Sequence, residues 1–186
     1  MVSDFRKKKL LFVFKTIFDA DESGEVEKQD FDLFLERISK LLGWKESDVV
    51  YQVAQESLAK IWKGISCGAD TDKDGKVTAD EWLAMWDLPA SVCRSCFNEW
   101  QKLFCKVFFY IQDKSSDGAV DCQEFVDVHA AIGLPKEEAS EAFNKLSQGK
   151  SGVSWEDYQQ LFKEFFIADD VNAPGNYIFG AAPFLK

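Results

Sequence analysis

Hydrophobic residues recur along this chain at intervals of three and four. Phe5, Leu10, Phe14, Ile17 and Phe18 fall on one side of a helical wheel, and charged residues fill much of the other. That period marks an amphipathic helix whose apolar stripe needs a partner. Phe31, Phe34, Leu35, Ile38 and Leu42 repeat the pattern, and Gly43 stands where such a helix stops. The same spacing predicts further helices over about 47–65, 79–86, 93–111, 122–132, 136–146 and 155–167. No segment of comparable length alternates with period two, so strand is expected only in short pieces.

The helices are separated by a fourfold repeat. Each unit has an apolar-periodic stretch, a short polar stretch with a central Gly or Ser, a Val, an acid four residues later, then an aromatic. The valines are Val26, Val77, Val120 and Val153; the acids are Asp30, Glu81, Glu124 and Asp157; the aromatics are Phe31, Trp82, Phe125 and Tyr158. A repeated helix-loop-helix cannot cover its own apolar face, so the units are expected to pair and to join their Val-containing loops by backbone hydrogen bonds. The expected fold class is all-α: two pairs of helix-loop-helix units in one globule, with short β-bridges between paired loops. Pro89 places the junction at 87–93. The expected organisation is a first pair over 1–88, with loops 19–30 and 70–81, and a second over 93–168, with loops 113–124 and 146–157.

The polar stretches carry the chemistry. In the first, Asp19, Asp21 and Ser23 offer side-chain oxygens at alternate positions, and Gly24 allows the sharp turn. The carbonyl of Glu25 offers a backbone oxygen, Glu27 acts directly or through water, and Asp30 closes the set at the twelfth position. This is the spacing of a calcium loop. The closing residue is usually Glu, which reaches the ion with two oxygens. The shorter Asp30 is expected to make this site more tolerant of magnesium, whose smaller ion favours sixfold geometry. The second loop matches at every diagnostic position, with Asp70, Asp72, Asp74, the carbonyl of Lys76, Thr78 and Glu81. The third uses Asp113, Ser115, Asp117, the carbonyl of Ala119, Asp121 and Glu124. Hard oxygen donors of this kind select calcium rather than zinc.

The fourth unit departs from the pattern. Leu146 stands at the first ligand position, Lys150 places a cation where an acid belongs, and Ser151 replaces the turn glycine. It is expected to serve as a structural partner for the third loop and to bind no ion.

Charge and composition sharpen this reading. The formal net charge is −10, from 32 acidic and 22 basic residues. Such a chain repels phosphate backbones and argues against a nucleic-acid partner. Three divalent ions would offset six of those charges, and clustered carboxylates need that neutralisation. The five cysteines, Cys67, Cys93, Cys96, Cys105 and Cys122, are odd in number, and the N-terminus shows no apolar signal core. These features predict reduced, helix-borne thiols in a cytoplasmic setting. No apolar run approaches the ~20 residues of a membrane-spanning helix. The basic run Arg6-Lys7-Lys8-Lys9 is read as a solvated helix face rather than a membrane-surface patch.

Together the three loops, the disabled fourth and the closing Asp30 resemble the sarcoplasmic calcium-binding proteins of invertebrates, an EF-hand family. The start Ser3-Asp4-Phe5 and the segment Gly175-Asn176-Tyr177-Ile178-Phe179-Gly180 resemble the calexcitin branch. The chain is expected to be a monomer. The resemblance implies a calcium and magnesium buffer, or a neuronal calcium sensor that changes conformation and engages a membrane or protein target. It also implies a tail, 169–186, that packs on the body through Phe179 and Phe184. Sensors line their calcium-exposed groove with methionine, whereas this chain has only Met1 and Met85. Its rigid Phe and Trp residues favour buffering. The light-emitting photoproteins of the same superfamily rely on His beside Trp and Tyr and on a terminal proline. With His129 alone, and Phe184-Leu185-Lys186 at the end, an oxygenase or any other enzyme is not expected.

Overall fold

A computed structural model of the chain describes residues 2–87 and 94–185, and the side chains of all of these except 94–98. The junction expected at 87–93 therefore lies almost wholly outside the described residues, as do Cys93 and the side chain of Cys96. Among those residues the architecture is helical, with eight α-helices and two two-stranded antiparallel sheets. The helices are α1 (Asp4–Val13), α2 (Lys28–Leu42), α3 (Val49–Ala69), α4 (Ala79–Asp87), α5 (Arg94–Gln112), α6 (Cys122–Ala131), α7 (Lys136–Ser147) and α8 (Trp155–Ile167). The strands are β1 (Glu25–Glu27), β2 (Lys76–Thr78), β3 (Ala119–Asp121) and β4 (Gly152–Ser154). No helix of the described residues is long and apolar enough to cross a membrane.

The chain divides into two compact units, Met1–Val2 with Val13–Val107, and Ser3–Phe12 with Phe108–Lys186. In the first, β1 pairs with β2 so that Val26 faces Val77, and both valines are almost fully buried. Phe18 is an aromatic hub, with ring centroids 5.5 Å from Trp82, 5.0 Å from Phe104 and 5.9 Å from Phe31. Each such pair contributes about 0.5–1.5 kcal/mol beyond simple burial. Gly43 ends α2 in the left-handed region, as its position after Leu42 predicts.

The first helical stretch is not one regular α-helix. After α1, residues Phe14–Phe18 form a wide π-turn in which Asp19 N–H donates to Phe14 O at 2.9 Å. Phe14, Ile17 and Phe18 are all buried there, and the turn delivers Asp19, also buried, to the head of the first loop.

In the second unit, β3 pairs with β4, with Val120 facing Val153. Phe179 in the tail is fully buried and packs on Phe165, Phe108 and Phe162 at 4.8, 5.5 and 5.8 Å. Gly180 has φ +80°, and a methyl group placed on it would lie 2.3 Å from the His129 ring. That close approach needs glycine.

The basic run of α1 does not form one solvated face. Lys9 is 1% exposed, and its Nζ donates to Ala168 O at 2.7 Å and to Asn176 Oδ1 at 3.0 Å. Burial pulls its pKa down to about 8. Arg6 Nε donates to Phe166 O at 3.1 Å. Arg6 thus ties α1 to the last turn of α8, and Lys9 ties it to the segment that follows. The sequence reading missed this because a basic run carries no sign of which carbonyls it will meet.

Candidate metal centre

Each of the first three loops joins the end of one helix to the start of the next, and the three share one backbone path. The left-handed region is entered at the fourth position, by Glu22, Lys73 and Ser116 with φ 61°, 62° and 58°. It is entered again at the sixth, by Gly24, Gly75 and Gly118 with φ 88°, 89° and 87°. The glycines meet this demand without strain; the three side-chain-bearing residues do so at some cost.

In the first loop Asp19 accepts from the N–H of Ser23 at 2.9 Å and of Gly24 at 3.0 Å. Asp21 accepts from Ser23 N–H at 3.0 Å, and Ser23 Oγ donates to Glu25 O at 3.0 Å. Asp30 is almost fully buried; its Oδ1 accepts from Ala20 N–H and its Oδ2 from Glu27 N–H, both at 2.8 Å. Glu27 and Asp30 also form a reciprocal cap at the start of α2. Burial raises the Asp30 pKa above the usual carboxylate range, and nearby Asp21 adds to the rise. Hydrogen bonds from Ser23 lower that of Asp21.

In the second loop Asp70 accepts from Gly75 N–H at 3.1 Å, Asp72 from Asp74 N–H at 3.2 Å and Asp74 from Lys76 N–H at 2.9 Å. Glu81 Oε1 accepts from the N–H and Oγ1 of Thr71 at 3.0 and 2.9 Å. Its Oε2 accepts from the N–H and Oγ1 of Thr78, both at 2.9 Å. These backbone donors hold the Glu81 pKa down at about 2, so it stays ionised at neutral pH. Thr71 is a residue the sequence reading passed over. A hydroxyl at the second position is not a ligand by spacing, yet here it orients the closing acid.

The third loop repeats the scheme. Asp113 accepts from the N–H of Asp117 and of Gly118, both at 3.1 Å. Ser115 Oγ donates to Asp113 Oδ1 at 3.5 Å, and Asp117 accepts from Ala119 N–H at 2.9 Å. Glu124 Oε1 accepts from Ser115 N–H at 2.8 Å and Oε2 from Asp121 N–H at 3.1 Å, while Asp121 caps Glu124 N–H in return.

The fourth loop differs in backbone as well as in side chains. Its left-handed residues are Gln148 and Gly149, with φ 53° and 82°, one and two places after the end of α7. They stand at the third and fourth loop positions instead of the fourth and sixth. Leu146 is buried in the core, and the closing Asp157 accepts from Lys150 Nζ at 2.7 Å.

The donor chemistry suits a hard divalent cation. Ligand oxygens of Asp19, Asp21 and Asp30 lie within 4.8 Å of one another, as do those of Asp70, Asp72 and Asp74. Asp70 Oδ1 is buried and has no hydrogen-bond partner among the described residues. An orphaned carboxylate oxygen inside a ring of acids fits a cation ligand and is costly otherwise. The third loop gathers no such trio of acids among the described residues, since its third position is Ser115.

Comparison with known proteins agrees with this geometry. The EF hand family model matches residues 69–86, the second loop and its flanks. The chain is 29% identical to Calexcitin-1 of Caenorhabditis elegans, over 98% of this chain and 90% of that protein. It is 28% identical to sarcoplasmic calcium-binding proteins I, III and IV of Branchiostoma lanceolatum, over 98% and 100% respectively. The solved structure of a sarcoplasmic calcium-binding protein from amphioxus superposes with a TM-score of 0.78 at 26% identity, covering 98% of this chain and all of that one. The chain thus has the EF-hand fold and resembles, over nearly its whole length, the sarcoplasmic calcium-binding proteins and calexcitin.

Proposed function

We propose that this chain is a cytoplasmic calcium-binding protein that takes up three divalent cations and acts as a calcium buffer, with magnesium competing for its sites. The observation that carries the proposal is the convergence of acidic oxygens in the first two loops, with Asp70 Oδ1 buried and lacking a hydrogen-bond partner. The first ion would be held by Asp19, Asp21, Ser23, the carbonyl of Glu25, Glu27 and Asp30. The second would be held by Asp70, Asp72, Asp74, the carbonyl of Lys76, Thr78 and Glu81. Asp113, Ser115, Asp117, the carbonyl of Ala119, Asp121 and Glu124 would hold the third. The bound ion supplies positive charge that neutralises the clustered carboxylates.

Buffering is favoured by the aromatic packing behind the loops. Phe14 and Phe18 pack on Trp82, and Phe31 packs on Trp62; fixed rings of this kind adapt less readily than the methionines of an opening groove. A hydrophobic-dye assay in millimolar magnesium tests the role. A buffer gives little calcium-dependent change in dye fluorescence, whereas a large calcium-specific increase would make the protein a sensor.

A further inference from the structure

The first unit contains an open groove with a volume of about 530 Å³ between α3 and α5. Leu103, half-buried, contributes to its mainly apolar lining and Trp100, only 2% exposed, adds little, while Lys60 and Lys63 stand along α3 and Lys102 and Lys106 along α5. All four lysines are exposed. Gly64 also lines the groove, and a methyl placed on it would lie 2.6 Å from Trp100 Cβ. The two helices approach closely there because Gly64 carries no side chain. Lysine stems often lie over their own apolar surface, but here the concavity between the two helices remains open. Among the described residues these lysines form one ion pair, Lys102 with Glu99 at 3.3 Å. A chain of net charge −10 thus sets four cations and one acid around a single apolar trough.

We propose that this groove docks an acidic amphipathic helix of a partner protein. The lysines stand i,i+3 on one wall and i,i+4 on the other, which matches a helix with an apolar ridge flanked on both sides by Glu or Asp. A single-chain lipid with one carboxylate would leave most of the rim without a counter-charge. A flat anionic membrane would meet the lysines but could not fill the trough. None of the loop oxygens lines the groove, so the site stands apart from ion binding and can fail independently of it.

The test uses the full-length, calcium-saturated protein and a fluorescein-labelled 16-residue helical peptide with a Leu ridge and Glu on both flanks. Two further probes are the same peptide with Lys in place of Glu, and phosphatidylserine vesicles. Anisotropy should show the acidic peptide binding and the lysine peptide not. Charge reversal by Lys60→Glu with Lys106→Glu should weaken the acidic peptide at least about tenfold and let the lysine peptide bind. Calorimetric calcium uptake and circular dichroism should be unchanged in that variant, because both residues are exposed. The proposal is overturned if the acidic peptide fails to bind below about 100 μM, or binds the reversed variant equally well. It is also overturned if vesicles bind through these lysines while the peptide does not.

Discussion

Glu25 and Lys76 occupy the seventh position of the first two loops, and their side chains form an ion pair of 2.6 Å across the β1–β2 ladder. The pair raises the Lys76 pKa, chiefly through the hydrogen bond from its ammonium to Glu25. In the proposed sites both residues supply carbonyls, so the side chains are free to staple the loops together. Both are substantially exposed, and such pairs are weakened by screening. Glu25→Gln should therefore leave ion stoichiometry unchanged and lower the thermal midpoint only slightly. In 1 M salt the difference from wild type should vanish. Loss of an ion on this substitution would mean that the Glu25 carboxylate is itself a ligand.

The fourth loop answers its closing acid with an internal cation, Lys150. Its left-handed residues lie earlier in the loop, so restoring one acid does not restore the path of the backbone. Lys150→Asp alone should add no ion in calorimetry, and it should reduce stability slightly by leaving Asp157 beside a like charge. A fourth bound ion would show that side-chain charge, rather than loop conformation, disables the site.

Asp30 is the one closing carboxylate among the proposed ion-binding loops with the shorter side chain. Replacing it by Glu supplies the missing methylene and a second oxygen within reach of the ion. Asp30→Glu should strengthen calcium and weaken magnesium at one site, changing their ratio by about tenfold in competition calorimetry. An unchanged ratio would show that Asp30 does not set the preference.

His129 is fully buried, 4.1 Å from the Phe125 ring, and its Nδ1–H donates to Phe125 O at 2.8 Å. Burial lowers its pKa from 6.5 to about 4. Between those values the unfolded chain binds the proton and the folded chain does not. Stability should therefore fall as pH drops from about 6.5 towards 4, by up to about 3 kcal/mol from this group. Urea unfolding of wild type and His129→Gln across pH 7 to 4.5 isolates the effect, since carboxylates titrate in both. Parallel curves would contradict the assignment.

Most of the fold was legible because its determinants are local. The three-and-four spacing marked the helices, and the loop grammar gave the strand pairing through Val26, Val77, Val120 and Val153. The π-turn at Phe14–Phe18 was not legible, since the same apolar residues suit a regular helix, and the wider turn is apparent only in its hydrogen bonding. Burial of Lys9 was hidden because its partners, Ala168 and Asn176, lie far along the chain. The fourth loop's loss of acids was plain in the sequence. Its displaced left-handed residues were not, because Gln148 carries no marked preference for that region. The groove between α3 and α5 depends on Gly64 meeting Trp100, a tertiary contact with no periodic signature.

Calorimetric titration of the chelator-stripped protein with calcium, repeated with Glu81→Gln, decides whether three separate loops each capture one divalent cation. Three ions per chain are expected for the wild type and two for the variant. No uptake at millimolar calcium, or a stoichiometry that Glu81→Gln leaves untouched, would contradict that expectation.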